Sequence, residues 1–155
     1  MKRIITLIES VNSSAQFIFT VSPVRHFKDG FVENQLSKSH LIAAVHHMLD
    51  KDRISYFPSY EIMMDELRDY RFYAKDMIHP NEVAIDYIWE KFNDVWINDS
   101  IADDMKKVDE VQRGLQHRPF NPEGEAHQKF LTSLSRKIAY IKKEYPFMDF
   151  KISKA

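Results

Sequence analysis

Residues 16–24 read QFIFTVSPV, an unbroken run of apolar, β-branched and aromatic residues that is interrupted by Pro23. Such a run is typical of a strand that is buried on both faces of a parallel sheet. It predicts a first strand over about residues 16–22. A second run, ISYFPSY at residues 54–60, has the same character and predicts a second strand that ends near Pro58.

The segment between these two runs has the pattern of a helix. Residues 37–52, SKSHLIAAVHHMLDKD, begin with Ser37 or Ser39 as a candidate N-cap. The apolar residues of this segment recur at helical spacing: Leu41, Ile42, Val45, Met48 and Leu49. A strand, a helix and a strand in this order predict a βαβ unit with parallel strands and a right-handed crossover.

The rest of the chain is predicted to be helical. An N-terminal helix is indicated by apolar residues that share one helical face: Ile4, Ile5, Ile8 and Val11. Later in the chain, the sequence predicts a helical turn over 61–67, a helix opened by Pro80 and Asn81, a helix from about Ser100 and a helix over about 123–144. Each of the last three helices has apolar positions that are predicted to be buried. They are Ala84, Ile85, Ile88, Phe92 and Val95 in the helix after Pro80, Ile101, Met105 and Val108 in the helix from Ser100, and Phe130, Leu131, Leu134, Ile138 and Ile141 in the last helix. Two strands are few for an α/β domain, since sheets usually have about four to six.

Composition excludes several classes of function. The 155 residues are 44% hydrophobic, enough for one globular core, and carry a net charge of −1, which argues against nucleic acid and membrane partners. No run approaches the roughly 20 apolar residues of a membrane-spanning helix, and the N-terminus lacks a secretory signal, so we expect a cytoplasmic location. The absence of cysteine excludes disulfides and a thiol nucleophile.

Asp76 and His79 are the candidate catalytic residues, three positions apart in the loop after the second predicted strand. In an open parallel sheet, function gathers at the loops beyond the carboxyl ends of the strands. The imidazole of such a pair takes the proton of a nucleophile, while the carboxylate fixes its tautomer. The spacing alone has low specificity, and it equally suits a loop cap at Asp76 and a histidine that precedes a helix.

The histidines and carboxylates give little indication of a metal site. Asp76, His79 and Glu82 would share a face if their turn were helical, but the residue before Pro80 avoids helical backbone angles. The adjacent histidines 46 and 47 would point about 100° apart on a helix and cannot chelate one ion. We find no cofactor motif, and we expect no metal and no cofactor.

A serine nucleophile is hard to place. An activated serine in an α/β fold usually has glycine neighbours that let the chain turn sharply. None of the three glycines of this chain adjoins a serine. Ser22 and Ser59 lie at predicted strand ends, where a capping or turn role is the plainer interpretation.

Three arginines lie in or near the same loops. Arg25, Arg68 and Arg71 would suit a carboxylate or phosphate, but ion pairing with Glu61, Asp65 or Asp69 is the plainer interpretation. The aromatic residues nearby are predicted to form core or pocket wall: Tyr56, Phe57, Tyr60, Tyr70, Phe72 and Tyr73. Beyond this proximity, the sequence assigns no role to Arg25, His26 or Arg71.

Three long strings resemble one family. They are TVSPVRHFKDGFVENQLSKSHL at 20–41, YFPSYEIMMDELRDYRFYAKDMIHPNEVAIDYIWEKF at 56–92 and HRPFNPEGEAHQKFL at 117–131. The first two closely resemble the second half of the GSCFA domain, a bacterial family similar to the SGNH, or GDSL-like, hydrolases. The third looks like the family's C-terminal tail.

The resemblance implies an α/β fold, part of a three-layer α/β/α sandwich of the flavodoxin-like, SGNH hydrolase type, with additional C-terminal helices. Residues 1–97 would be the C-terminal half of this domain and 98–155 a helical C-terminal extension. The Asp-x-x-His block of these hydrolases matches DMIHP, so His79 would be the general base and Asp76 its orienting partner. The implied activity is that of an ester hydrolase or acyltransferase, acting on a small-molecule, carbohydrate or lipid ester.

The chain departs from the family pattern in one large respect. The string that would carry the serine, and the glycine and asparagine blocks, do not occur in the 155 residues. We therefore expect a C-terminal fragment or a shortened gene product with no appreciable turnover alone, since a base without its nucleophile loses most of its catalytic advantage. The alternative is a non-catalytic interaction or structural domain. Missing strands would leave an open sheet edge that favours homo-oligomers.

Overall fold

A computed structural model of the chain describes residues 1–50 and 52–150. Its internal contacts divide it into two compact units, Met1–Trp96 and Ile97–Ala155. The first unit is mixed α/β and the second is helical. The assignment of residues 1–97 to half of a catalytic domain and of 98–155 to an extension stays a prediction.

The sheet of the first unit is a parallel pair, as predicted. β1 (Phe17–Thr20) lies beside β2 (Ile54–Phe57), with Phe17 opposite Ile54 and Thr20 opposite Phe57. Because both strands run in the same direction, their carboxyl ends lie at one edge of the sheet. The loops that follow them therefore begin side by side.

The prediction that β1 is buried on both faces is wrong. Burial alternates along the strand, and the side chain of Ile18 is 43% exposed. An apolar run indicates which residues are suited to burial. A strand is buried on both sides only when other elements cover each face of its sheet. Within the described residues, β1 is covered on one face only.

The helices before β2 differ in part from the prediction. α1 (Lys2–Val11) has the predicted extent, but only Ile5 on its apolar face is buried. α2 (Phe31–His46) begins before the predicted caps Ser37 and Ser39, and directly after Gly30, whose φ of 100° lets the chain turn sharply. Ser39 lies inside this helix, and its hydroxyl donates to the carbonyl of Gln35.

The apolar stripe predicted for α2 is only partly buried, and Ile42 and Met48 are half-buried. Val45 is buried, whereas Leu41 and Leu49 are exposed. His46 and His47 are both exposed. The helix therefore contributes few apolar side chains to the core.

After β2 the chain forms a short α3 (Ser59–Glu61) that continues as a π-helical turn, Ile62–Leu67. A 3₁₀ turn, Tyr70–Phe72, precedes the loop that holds Asp76, and α4 (Glu82–Trp96) follows that loop. The core of this region consists of Met63, Leu67, Tyr73 and Ala84. Of the stripe predicted for α4, Ala84 is buried, whereas Ile85 and Val95 are exposed.

The second unit is a pair of helices that contact each other, α5 (Ala102–Gln116) and α6 (Glu125–Glu144). Its core consists of Val111, Leu134, Ile141 and Phe150, so the predicted burial of Leu134 and Ile141 is confirmed. The predicted burial of Ile101 is wrong, because this residue lies in a 3₁₀ turn before α5 and is exposed. No helix in the described part of the chain is long and apolar enough to cross a membrane.

Candidate functional site

Asp76 and His79 contact each other directly. The Oδ2 atom of Asp76 lies 2.7 Å from Nδ1 of His79. The other carboxylate oxygen, Oδ1, accepts hydrogen bonds from the backbone N–H groups of Ile78, at 2.9 Å, and His79, at 3.0 Å. One carboxylate therefore fixes both the path of the turn and the orientation of the ring.

The turn is closed by backbone contacts on both sides. The N–H of Ala74 donates to the carbonyl of His79 at 2.8 Å, and Tyr73 forms an antiparallel bridge with Pro80. Between them, Met77 has a φ of 60°, in the left-handed region that residues with a Cβ seldom adopt. The strained residue lets the chain reverse within the space between Asp76 and His79.

The carboxyl group of Asp76 is held ionised. The hydrogen bonds from the N–H of Ile78, from the ring of His79 and from the N–H of His79 lower its pKa to about 2. Each of these donors favours the charged form of the acceptor. Asp76 is thus a carboxylate throughout the neutral pH range.

The geometry leaves one ring nitrogen of His79 available. When Nδ1–H donates to the carboxylate, the tautomer is fixed and Nε2 carries a lone pair. The side chains of His79 and Asp76 are 60% and 46% exposed, so the pair is open to solvent and to a substrate. Such an arrangement can accept a proton at Nε2 while the carboxylate stabilises the resulting imidazolium.

The cap of α4 is a different residue. Asn81 accepts the N–H of Ala84 on its side-chain oxygen at 3.0 Å, and its amide donates to the carbonyl of Arg71 at 2.7 Å. Asp76 is therefore free of the helix end, although it does accept two N–H groups of its own loop. The same carboxylate therefore caps its own loop and contacts the ring of His79.

The two candidate serines have structural contacts. Ser59 is buried where β1 and β2 end, and its hydroxyl donates to the carbonyl of Val21 at 2.9 Å and lies 2.6 Å from the hydroxyl of Thr20. Ser22 is exposed and accepts the N–H of Val24. Within the described residues, neither serine is hydrogen-bonded to His79.

The three arginines differ in their contacts, and the predicted ion pairing holds for two of them. Arg68 pairs with Asp65 at 3.8 Å and Arg71 with Asp69 at 3.1 Å, so ion pairing is confirmed for these two. The prediction of an ion pair is wrong for Arg25, whose guanidinium lies over the ring of Tyr73 at 4.0 Å from the ring centroid.

The sequence prediction missed Lys38. This residue is 2% exposed, and its Nζ donates to the carbonyl of Ser22, in the loop after β1, at 2.5 Å. Burial lowers the pKa of its ammonium group. A signal was present in the sequence, because Lys38 is three residues before Leu41 and seven before Val45, in phase with the apolar stripe of α2.

The proposed metal ligands do not gather into a site. Among residues 1–50 and 52–150, no group of three or more histidines and carboxylates is placed to hold a metal ion. The side chain of Asp76 is instead occupied by the contacts within its own turn.

Comparison with known proteins identifies the family. Residues 1–92 match the model of the GSCFA family, and residues 108–154 match that of the GSCFA domain protein, C-terminal domain. Searches of curated proteins and of solved structures return no match. The first match alone spans more than half of the 155 residues, and the turn from Asp76 to His79 lies within it. The chain therefore belongs to the GSCFA family.

Proposed function

We propose that the turn from Asp76 to His79 is the base and its orienting carboxylate in a Ser/His/Asp triad of an ester hydrolase or acyltransferase. The observation that carries this proposal is the 2.7 Å contact between Oδ2 of Asp76 and Nδ1 of His79. It gives the ring the tautomer and the free Nε2 that a general base requires. The exposure of the pair and the ionised carboxylate support the same role.

The fold proposed for the complete catalytic domain is the three-layer α/β/α sandwich of SGNH-like hydrolases. Residues 1–97 would supply the last two core strands, and 98–155 a helical extension. In support, β1 and β2 are parallel neighbours, and the site lies in the loop between β2 and α4, beyond the carboxyl end of a strand. The serine of this triad would be a residue of the complete protein outside these 155.

The proposed reaction proceeds in two stages. Nε2 of His79 takes the proton of the serine as its Oγ attacks the ester carbonyl, and the imidazolium then gives this proton to the departing alkoxide. The C–O bond of the ester breaks and an acyl-serine forms. Water or a second alcohol then attacks the acyl group with His79 again as base, which releases the acid or the transferred ester and restores the serine.

A labelling experiment tests the role of His79. A fluorophosphonate probe, which reacts with activated serines, is applied to the longest natural reading frame that contains these residues. We expect His79→Ala to slow labelling by at least about 10²-fold, the usual contribution of a general base. His47→Ala, an exposed histidine on a different element, is the matched control and keeps the rate. Equal rates for wild type and His79→Ala, or no labelling of the wild type, would refute the proposal.

We also propose a second role for the first unit, self-association of this chain through an open strand edge. Each strand of the two-stranded sheet has one neighbour among the described residues, and the exposed Ile18 adds an apolar side chain. An open edge of this kind is a template for pairing with another copy. Ile18→Lys should weaken a concentration-dependent dimer in sedimentation velocity, whereas Phe120→Lys, at an exposed apolar position of the second unit, should not. A dimer unaffected by Ile18→Lys would rule this surface out.

A further inference from the structure

The guanidinium of Arg25 lies among three aromatic rings. Its Cζ atom is 4.0 Å from the ring centroid of Tyr73, 5.1 Å from that of Tyr70 and 5.4 Å from that of Phe27. A guanidinium that stacks on a ring uses its face for this contact, and its N–H donors point outward in the plane. The side chain is therefore held in place while its hydrogen-bonding edge is left for other partners.

No protein group satisfies that edge in the described part of the chain. The side chain of Arg25 forms neither an ion pair nor a hydrogen bond there, and none of its nitrogens is sealed from solvent. The neighbouring Arg71 differs, since its guanidinium is 3.1 Å from the carboxylate of Asp69. Among the described residues, no carboxylate lies within ion-pair distance of the positive charge of Arg25.

The position of Arg25 ties it to the candidate base. Its backbone N–H donates to the carbonyl of Ile78, the residue before His79, at 3.2 Å. The loop that leaves β1 is in this way hydrogen-bonded to the turn of the catalytic pair. The main chain of Arg25 therefore lies beside the turn that holds His79.

Two further polar groups lie in this region, and one of them lacks a hydrogen-bond partner among the described residues. Tyr73, the ring nearest to Arg25, is 7% exposed, and its hydroxyl has no hydrogen-bond partner among the described residues. Such orphaned buried groups are rare in proteins and call for an explanation. Lys38 adds a second cation bound to the same loop, at the carbonyl of Ser22.

We propose that Arg25 is the anion-binding residue of this site, and that it receives a carboxylate or phosphate group of the substrate. A guanidinium offers parallel N–H donors that match two oxygens of either group. Stacking on Tyr73 lowers the entropic cost of binding, because the side chain is ordered beforehand. The identification of the anion as part of a substrate rests on the proposed function, whereas the binding itself does not.

The binding is measured on the 155-residue chain by NMR, with the side-chain Nε–H resonance of Arg25 as the reporter. The chain is titrated with inorganic phosphate and, separately, with acetate at constant ionic strength. We expect a saturable shift of this resonance, and of the amides of Ile78 and His79, with at least one of the two anions. Arg25→Gln should weaken the affinity by at least about tenfold, as expected for loss of a charge-assisted contact.

Two controls separate this site from general charge effects and from catalysis. Arg71→Gln removes a nearby arginine whose charge is already paired and should leave the affinity unchanged. The absence of a saturable shift at Arg25 with both anions, or equal losses in Arg25→Gln and Arg71→Gln, would overturn the inference. The titration of the wild-type chain tests anion binding at Arg25 even if a variant fails to fold. Anion binding at Arg25 together with a dispensable His79 would refute the proposed function alone.

Discussion

Asp76 shows how much of the candidate site depends on one side chain. Its two oxygens accept from the N–H groups of Ile78 and His79 and from the ring of His79. Replacing it therefore changes the backbone of the turn and the orientation of the His79 ring together. For this reason Asp76→Asn, which keeps an acceptor oxygen, is a better probe than alanine.

The first prediction concerns the titration of Asp76. Its pKa is about 2 in the folded chain, below the usual 3.8 of an aspartate. The ionised form is thus favoured by folding, so its contribution to stability is present above about pH 4 and is lost as the pH falls through about 2. The ¹³Cγ resonance of Asp76 should titrate with a midpoint near 2. A midpoint near the usual value would mean that these hydrogen bonds do not form.

Met77 provides a prediction about strain. Its φ of 60° disfavours residues with a Cβ, and β-branched residues most of all. Met77→Val should therefore be less stable than Met77→Gly by about 1–2 kcal/mol in urea unfolding. At Met105, which lies within α5, the order should reverse, because glycine is the poorer helix former. If the glycine variant were the less stable one at position 77 as well as at position 105, the left-handed conformation of Met77 would be contradicted.

The sequence indicated the contact between Asp76 and His79 better than it indicated the surroundings of that contact. A separation of three residues allows Asp76 and His79 to meet within a single turn, so local spacing was informative. The environment of Arg25 depends on Phe27, Tyr70 and Tyr73, which come from two loops. The pairing of β1 with β2 and the hydrogen bond from the N–H of Arg25 to the carbonyl of Ile78 bring those loops together, and local spacing does not show which side chains then meet.

At the scale of elements, one buried hydroxyl joins the ends of the two strands. Ser59 follows β2, yet it donates to the carbonyl of Val21, just after β1, and lies beside the hydroxyl of Thr20. This contact holds together the starts of the two loops that carry Arg25 and the pair of Asp76 and His79. It also explains why Ser59 is a structural residue.

The third prediction tests that junction. Ser59→Ala should lower the free energy of unfolding by about 1–2 kcal/mol, because it leaves a buried carbonyl without its donor. The matched control is Ser22→Ala, at an exposed serine with a contact only two residues away, and its effect should stay within about 0.5 kcal/mol. Urea unfolding of both variants checks this. Equal losses would mean that Ser59 does not join the strands.

The elements were predicted in type and order, and their limits less well. The βαβ order and the helices after it follow from runs and periodicities that are long enough to read. The start of α2 was misplaced because serines 37 and 39 resemble N-caps, whereas the chain turns at Gly30. A serine inside a helix can satisfy its hydroxyl on a preceding carbonyl, as Ser39 does, and so imitates a cap in the sequence.

At the scale of the whole molecule, the first unit exposes a large apolar surface. Exposed apolar side chains occur on three of its helices: Ile4, Leu7 and Val11 on α1, Phe31, Val32 and Leu36 on α2, and Val83, Ile85 and Trp89 on α4. Surfaces of this kind generally mark contact with other protein. Periodicity placed Ile4, Val11 and Ile85 on apolar helix faces, because it identifies such a face without showing what covers it.

The central claim is that His79 is the base of an ester hydrolase or acyltransferase, and steady-state hydrolysis of a short-chain p-nitrophenyl ester tests it most directly. The enzyme is the longest natural reading frame that contains these residues, with His47→Ala as the control. We predict that His79→Ala and Asp76→Asn each lower kcat/KM by at least about 10³-fold, as loss of a triad member does. Wild-type kcat/KM in His79→Ala would contradict the account.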